Sequence, residues 1–283
     1  MLKTFSKFTS YLFFACLLLA SAFGAAQAQK LSAEEVIAKH LESIGPKEKR
    51  DQIKNRFVPA ALTFERKVPV IKGGGKAVFV SDNSNLFFLA KLNSHEYSQE
   101  RIGYFSGKVN LPWVTAGTRS PLGAYLADHP KMLEDGLLMG TITCLWALES
   151  PKGKVQGGGR KKVDDREVYV LEYYPKNVGA EFTVKMFFDA QTFQHLRTEY
   201  RHTISQQQQS FKTMGTRGGA FYVMNEYFGE YRDESGLMLP HTYKITYVTN
   251  TDAGTDEFTW TMNIGEYHFN QNLAPNFFTF DTD

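Results

Sequence analysis

The spacing of apolar positions changes twice along the chain. Ser32-Ala33-Glu34-Glu35 has the form of a capping box, in which the Ser32 hydroxyl accepts from the backbone of Glu35 and the Glu35 carboxylate reaches back. Val36, Ile37, His40, Leu41 and Ile44 follow at helical spacing, and Gly45-Pro46 ends the run. This helix has one apolar face, so it must lie on something. A short charged turn of helix is expected over 46–54. From about Ala60 the period becomes two, in β-branched and aromatic runs separated by glycine or polar clusters. Strands are expected over 62–68, 76–81, 86–92, 101–105 and 108–114, then over 155–162, 167–174, 181–189, 194–204, 221–232, 239–248 and 257–269. Turns fall at Asp164-Asp165, Asp189-Ala190, Glu234-Ser235-Gly236 and Asp252-Ala253-Gly254, residues that tolerate tight backbone geometry. Consecutive strands on tight turns make one large antiparallel sheet.

Residues 120–150 break the alternation. Leu122, Tyr125 and Leu126 mark one short helix, Pro130 begins another through Met132, Leu133, Leu137 and Leu138, and 140–148 is nearly all apolar. That is too apolar for a surface loop. The expected fold class is therefore mainly β with a few helices, a large curved antiparallel sheet with helices covering its concave face. Such a sheet encloses more apolar space than its own side chains fill, so an apolar cavity is expected, and an interior packed shut would count against it. Candidates for the wall are Phe79, Phe87, Leu89, Tyr104, Val170, Val184, Met186, Phe188, Tyr243, Ile245, Tyr247, Phe258, Trp260 and Met262. Candidates for the lid are Tyr125, Leu126, Leu133, Leu137, Leu138 and Trp146.

The N-terminus reads as an export signal over 1–28: Lys3 and Lys7, an apolar core over 11–23, and Ala26-Gln27-Ala28 as a small-x-small cleavage site before Gln29. Residues 29–283 are then a single exported domain, with a periplasmic location. No later apolar run approaches the roughly 20 residues that span a bilayer. Cys16 lies inside the apolar core, with Phe13 and Phe14 where a lipid-attachment site carries an aliphatic and a small residue, so no lipid anchor is expected. Without Cys16, Cys144 is the remaining thiol and an apolar core alone must hold the fold. Loss of Lys3 and Lys7 takes the formal charge of +2 to neutrality. A nucleic-acid binder needs a basic stripe, so none is expected.

The sequence carries no Gly-x-Ser-x-Gly elbow, no His-Glu-x-x-His and no Cys-x-x-Cys. Gly73-Gly74-Gly75-Lys76 is followed by Ala77, which lacks the hydroxyl of a phosphate loop; like Gly157-Gly158-Gly159 and Gly218-Gly219 it reads as a hairpin turn. His195 and His202, seven apart on one strand, should face opposite sides of the sheet, and His40 reads as a core or boundary histidine. Glu96, Glu100, Glu172, Glu199 and Glu226 read as a solvated face alternating with a buried one, although the face of Glu226 is left open by the pattern around it. No enzyme, metal or cofactor is expected.

Four segments of the second half carry a resemblance: Val163-Asp164-Asp165-Arg166-Glu167-Val168-Tyr169-Val170-Leu171; Met186-Phe187-Phe188-Asp189-Ala190-Gln191-Thr192-Phe193; Phe228-Gly229-Glu230-Tyr231-Arg232 to Gly236-Leu237-Met238-Leu239-Pro240; and Asn272-Leu273-Ala274-Pro275-Asn276-Phe277-Phe278. In this order, from about Lys154 to the C-terminus, the chain resembles the LolA/LolB-like outer-membrane lipoprotein-sorting family. The resemblance implies an incomplete β-barrel closed by helices, whose apolar interior receives acyl chains of a lipid or an acylated lipoprotein, without catalysis. It also implies an arginine in the barrel that holds the lid closed, for which Arg56, Arg66 and Arg101 are candidates. An envelope protein partner without a lipid ligand is the alternative. A lid apolar on both faces would permit transient membrane contact.

Overall fold

A computed structural model describes residues 30–113, 117–204, 220–251, 254–274 and 276–278. The signal over 1–28, Gly218-Gly219, Asp252-Ala253 and Pro275 lie outside the described residues. Residues Ser32–Asp283 form one compact unit.

Helix α1 (Ala33–Ile44) starts on the expected capping box, with Glu35 N donating to Ser32 Oγ at 3.2 Å and Ser32 N to Glu35 Oε2 at 2.7 Å. Its buried side is Ala33, Val36, Ile37, His40 and Ile44. At its end Gly45 has φ 151° and lies so close to the neighbouring hairpin that a Cβ there would stand 2.8 Å from the Gly236 carbonyl oxygen. The charged turn follows as α2 (Lys47–Asp51).

The strands are β1 (Asn55–Arg66), β2 (Ile71–Asp82), β3 (Leu86–Leu92), β4 (Gln99–Phe105) and β5 (Lys108–Asn110). After helices α3 (Pro121–Asp128), α4 (Lys131–Glu134), α5 (Gly140–Thr143) and α6 (Trp146–Glu149) come β6 (Lys154–Val163), β7 (Arg166–Tyr174), β8 (Phe182–Asp189) and β9 (His195–Ile204). The chain ends with β10 (Ala220–Glu234), β11 (Leu237–Thr251), β12 (Gly254–Ile264) and β13 (His268–Phe269). They form one antiparallel sheet in the order β5-β4-β3-β2-β1-β12-β11-β10-β9-β8-β7-β6, with β13 on β1. The first long strand thus pairs with the last, Phe64 opposite Trp260. The two free edges, β5 and β6, are neighbours in sequence, and the segment 111–153 that joins them carries α3 to α6. A twisted sheet this wide curls, and the covering helices run from one edge of the opening to the other. This is the unclosed, helix-covered barrel that the sequence led us to expect.

Several details differ from expectation for physical reasons. Strand β1 begins at Asn55, before Pro59; the proline, which cannot donate, stands between the stretches of β1 paired with β13 and with β12. The glycine run 73–75 is not a turn but lies inside β2, where Gly75 pairs with Leu92. A Cβ at Gly75 would stand 1.9 Å from the Lys91 carbonyl oxygen. Gly75→Ala must therefore push β3 away from β2, and a loss of about 2–4 kcal/mol is expected in urea titration, against near-neutrality if the run were a surface turn. Gly157–Gly159 likewise lies within a strand, where β6 changes register against β7 and Gly157 has φ 109°.

Candidate functional site

Alternate residues of the long strands face the helices. Phe79, Phe188, Tyr243, Trp260 and Met262 on this concave side are at most 1% exposed, and Met186 is 2%. Opposite them stand Leu126, Met132, Leu133, Met139 and Ile142 of the covering segment, all fully buried, with Leu138 at 1%. The enclosed space between the segment and Met186, His195 and Thr198 is about 10 Å³, room for about one water molecule. The expected cavity is therefore occupied by the lid's own side chains. The segment is buried because it inserts its apolar residues into the half-barrel instead of roofing an empty one.

Most of the predicted site residues meet here. Met186, Phe188, Tyr243, Tyr247 and Trp260 lie on the wall; Tyr125, Leu126, Leu133, Leu137 and Leu138 lie on the lid, with the Tyr125 and Tyr247 rings 4.9 Å apart. Trp146 opens α6, and its side chain lies outside the described part of the structure. Phe87 and Leu89 do not belong to the wall. Strand β3 buries Leu86, Phe88, Ala90 and Leu92, so Phe87 and Leu89 face outward, Phe87 against Phe277 of the C-terminal segment at 5.9 Å. Val170 also faces outward, in a satellite cluster with Val168 and Phe187.

Polar groups tie the lid to the wall at several points, which the sequence did not disclose. Glu226, fully buried on β10, accepts from Met139 N at 2.7 Å, Tyr243 Oη at 2.6 Å and Tyr200 Oη at 2.6 Å. Met139 has φ 61°, a left-handed conformation unfavourable for a side chain of this kind, so Glu226 secures a strained point of the lid. Glu100 on β4 accepts from Tyr97 Oη at 2.6 Å and from the Ser120 hydroxyl, while Ser120 caps α3 by accepting from Gly123 N. Burial pushes both carboxyls up to about 7, against the donors that favour their charged forms. Tyr173 donates to Asp135 of the lid at 2.9 Å, and Ser81 Oγ to Thr143 O at 2.6 Å. Glu226 had one legible signal: it alternates with Met224 and Phe228, both buried, so its carboxylate sits on an apolar stripe.

The three arginines separate cleanly. Arg56 is buried beneath the lid and donates to Ile142 O at 3.3 Å. Arg66 pairs with Asp256 at 2.6 Å at the far end of β1, and Arg101 is exposed. The histidines correct an expectation. Phe188 lies opposite His195 and Phe187 opposite Arg197, so Leu196 is an extra residue that shifts the pleat, and His195 and His202 both face inward. They stand at opposite ends of β9, about 20 Å apart by strand rise. His195 bonds Thr141 Oγ1 of the lid at 2.7 Å, and His40 bonds Phe193 O at 2.8 Å. Burial lowers the pKa of both, His40 to about 4, so they are neutral packing groups. Among the described residues, no three His, Cys, Asp or Glu side chains converge to hold a metal.

Two large hollows among the described residues open to solvent. At the α3 end of the half-barrel, away from α1, a recess of about 690 Å³ lies between α3 and the ends of β8 to β11. On the outer face, Pro59, Ala61, Val78 and Leu89 floor an apolar groove of about 590 Å³ flanked by Lys76 and Lys91.

No family model and no curated protein matches the chain. Among solved structures, the chain is similar to a putative outer membrane lipoprotein-sorting protein domain from Vibrio parahaemolyticus, at 12% identity and a TM-score of 0.44, over 87% of this chain and 97% of that one. It is similar to a DUF1329 family protein from Desulfovibrio piger, at 10% identity and a TM-score of 0.43, over the same shares. It is also similar to the structure of the MucA/MucB complex of Pseudomonas aeruginosa, at 9% identity and a TM-score of 0.23, over 85% of this chain and 99% of that one. These likenesses are distant and concern the fold alone.

Proposed function

We propose that the protein is a periplasmic, non-catalytic carrier that takes up the acyl chain of a lipid or an acylated lipoprotein in the half-barrel, in exchange for the lid. One observation carries this reading: the apolar interior is filled by a separate segment strung between the two free sheet edges, fastened through discrete polar ties at Glu100, Glu226, Asp135 and Arg56. A permanent core has no need of buried carboxylates to hold its cover, because burying them costs more than apolar contacts of the same volume. Displacing Leu126, Leu133, Leu138 and Ile142 would leave an apolar trough whose affinity comes from area, at roughly 25 cal/mol per Å² before ordering costs. Arg56 suits the role of the arginine that holds the lid.

Native mass spectrometry of residues 29–283, recovered from a bacterial periplasm without detergent, tests the reading. A co-purifying amphiphile, or uptake of a fluorescent fatty-acid probe, is the expected result. A clean apo mass with no uptake would overturn it. That outcome would favour the second reading, an exported module that binds a protein partner, for which the outer groove of Pro59, Ala61, Val78 and Leu89 is the supporting feature.

A further inference from the structure

We propose that the outer face of β1 to β4 docks on a bilayer surface that carries anionic phospholipid, with Lys76, Lys91 and Arg101 meeting the phosphates and the groove floor meeting the upper acyl chains. This goes beyond the carrier reading and uses the side of the sheet away from the lid. Strand register places the three cations. Lys76 on β2 stands directly opposite Lys91 on β3; in the next row of the same face, Val78 stands opposite Leu89, and Leu89 opposite Arg101 on β4. Rows on one face are about 7 Å apart along a strand and neighbours about 5 Å apart across it, so three exposed positive charges border the Val78–Leu89 pair. Among the described residues none of the three has a carboxylate within ion-pair distance, whereas Arg66, Lys67 and Lys72 of the same hairpin are all paired. Like charges directly opposite on paired strands repel, and an anion between them relieves that repulsion.

A lipid surface fits this face better than a folded partner does. Strands β1 to β4 are each paired on both sides, so the face offers no free backbone edge. Its floor of Pro59, Ala61, Val78 and Leu89 carries no side-chain donor or acceptor. A specific protein interface makes about one hydrogen bond per 100–200 Å², which such a floor cannot supply. What it supplies is charge on flexible stems beside an apolar surface, the complement of anionic headgroups over acyl chains. Glu266, the carboxylate that lines the groove, follows β12, two strands from Lys76, and stands 3.2 Å from His268 Nε2.

Co-sedimentation of residues 29–283 with vesicles of phosphatidylcholine alone, and of phosphatidylcholine with about one-third phosphatidylglycerol, tests this. Each cation at an anionic surface is worth about fivefold, so the parent should prefer the anionic vesicles by about 100-fold. It should leave them at about 1 M salt, where charges are screened within about 3 Å. Lys76→Gln/Lys91→Gln should lose about 25-fold of that affinity, yet melt no lower than the parent because it removes a like-charge pair, so the loss cannot be ascribed to unfolding. Lys154→Gln/Lys161→Gln removes as much charge from exposed positions on β6 and should bind as the parent does. Equal binding of the parent to the two vesicles, or equal losses in the two double variants, overturns the site. Absence of binding to either vesicle overturns the lipid assignment and leaves the groove to a protein partner. None of these outcomes touches the carrier reading, whose lid and interior lie on the other face of the sheet.

Discussion

Glu226→Ala should cost about 3–5 kcal/mol in chemical denaturation, while Glu226→Gln should change the way stability depends on pH. Alanine leaves Met139 N–H and the hydroxyls of Tyr200 and Tyr243 without their acceptor in a buried site. Glutamine keeps an acceptor for Met139 and Tyr243 and presents an amide that Tyr200 can accept from. The groups facing Glu226 are the phenols of Tyr200 and Tyr243, both raised by burial, with Tyr125 beyond Tyr200; none ionises near neutrality. The folded Glu226 carboxyl holds its proton to about pH 7, whereas the ordinary value is 4.5. Between these values the native state binds more protons than the unfolded chain, so this group's contribution is full below about pH 4.5 and is lost as pH rises through 7. The slope is about 1.4 kcal/mol per pH unit.

Glu100 acts in the same sense, but His40 and His129, lowered by burial to about 4, act in the opposite one over about pH 4 to 6.5, and His195, also lowered by burial, acts with them. The total curve therefore hides Glu226. The difference between Glu226→Gln and the parent isolates it: the variant should gain about 3 kcal/mol on the parent between pH 4.5 and 8. Parallel curves for the two proteins would show that Glu226 is ionised throughout and that its three donors outweigh burial.

Much of the fold was legible because local and tertiary signals agreed. Strand β3 ends where its turn residues place it, and the capping box at Ser32 starts α1 at the expected residue. Failures fell where one pattern admits two readings. Phe87 and Phe88 are both apolar, so alternation in β3 fixes a period but not which parity faces inward; the C-terminal segment, by covering Phe87, lets the outer face be aromatic too. Three glycines read as a turn at 73–75, yet their missing side chains serve a close approach of two strands. A single extra residue at Leu196 brought His202 to the inner face, and no periodicity shows a bulge in advance. The apolar run over 120–150 predicted burial correctly but not its destination, since composition says that a segment leaves water and not what it displaces. The ties at Glu226 and Glu100 stayed hidden for a related reason: a carboxylate on a strand is normally solvated, and only tertiary placement turns it into a fastening.

Leu133→Ala separates a lid from a core. Leu133 is fully buried against the wall, so truncation should destabilise the closed protein by about 2–5 kcal/mol. If an acyl chain replaces the lid, closure competes with binding, and the measured dissociation constant is the intrinsic one divided by the fraction open. Weakening closure raises that fraction. A fluorescent fatty-acid probe should therefore bind Leu133→Ala about 10- to 100-fold more tightly than the parent, even though the variant melts at a lower temperature, because each 1.4 kcal/mol removed from the closed state alone is tenfold in binding. Phe188→Ala is the control. Its ring is as deeply buried but belongs to the wall, so its loss should destabilise without tightening binding, since the ligand would need that surface as much as the lid does. If both variants lose stability and neither gains affinity, residues 120–150 are permanent core and the carrier reading falls.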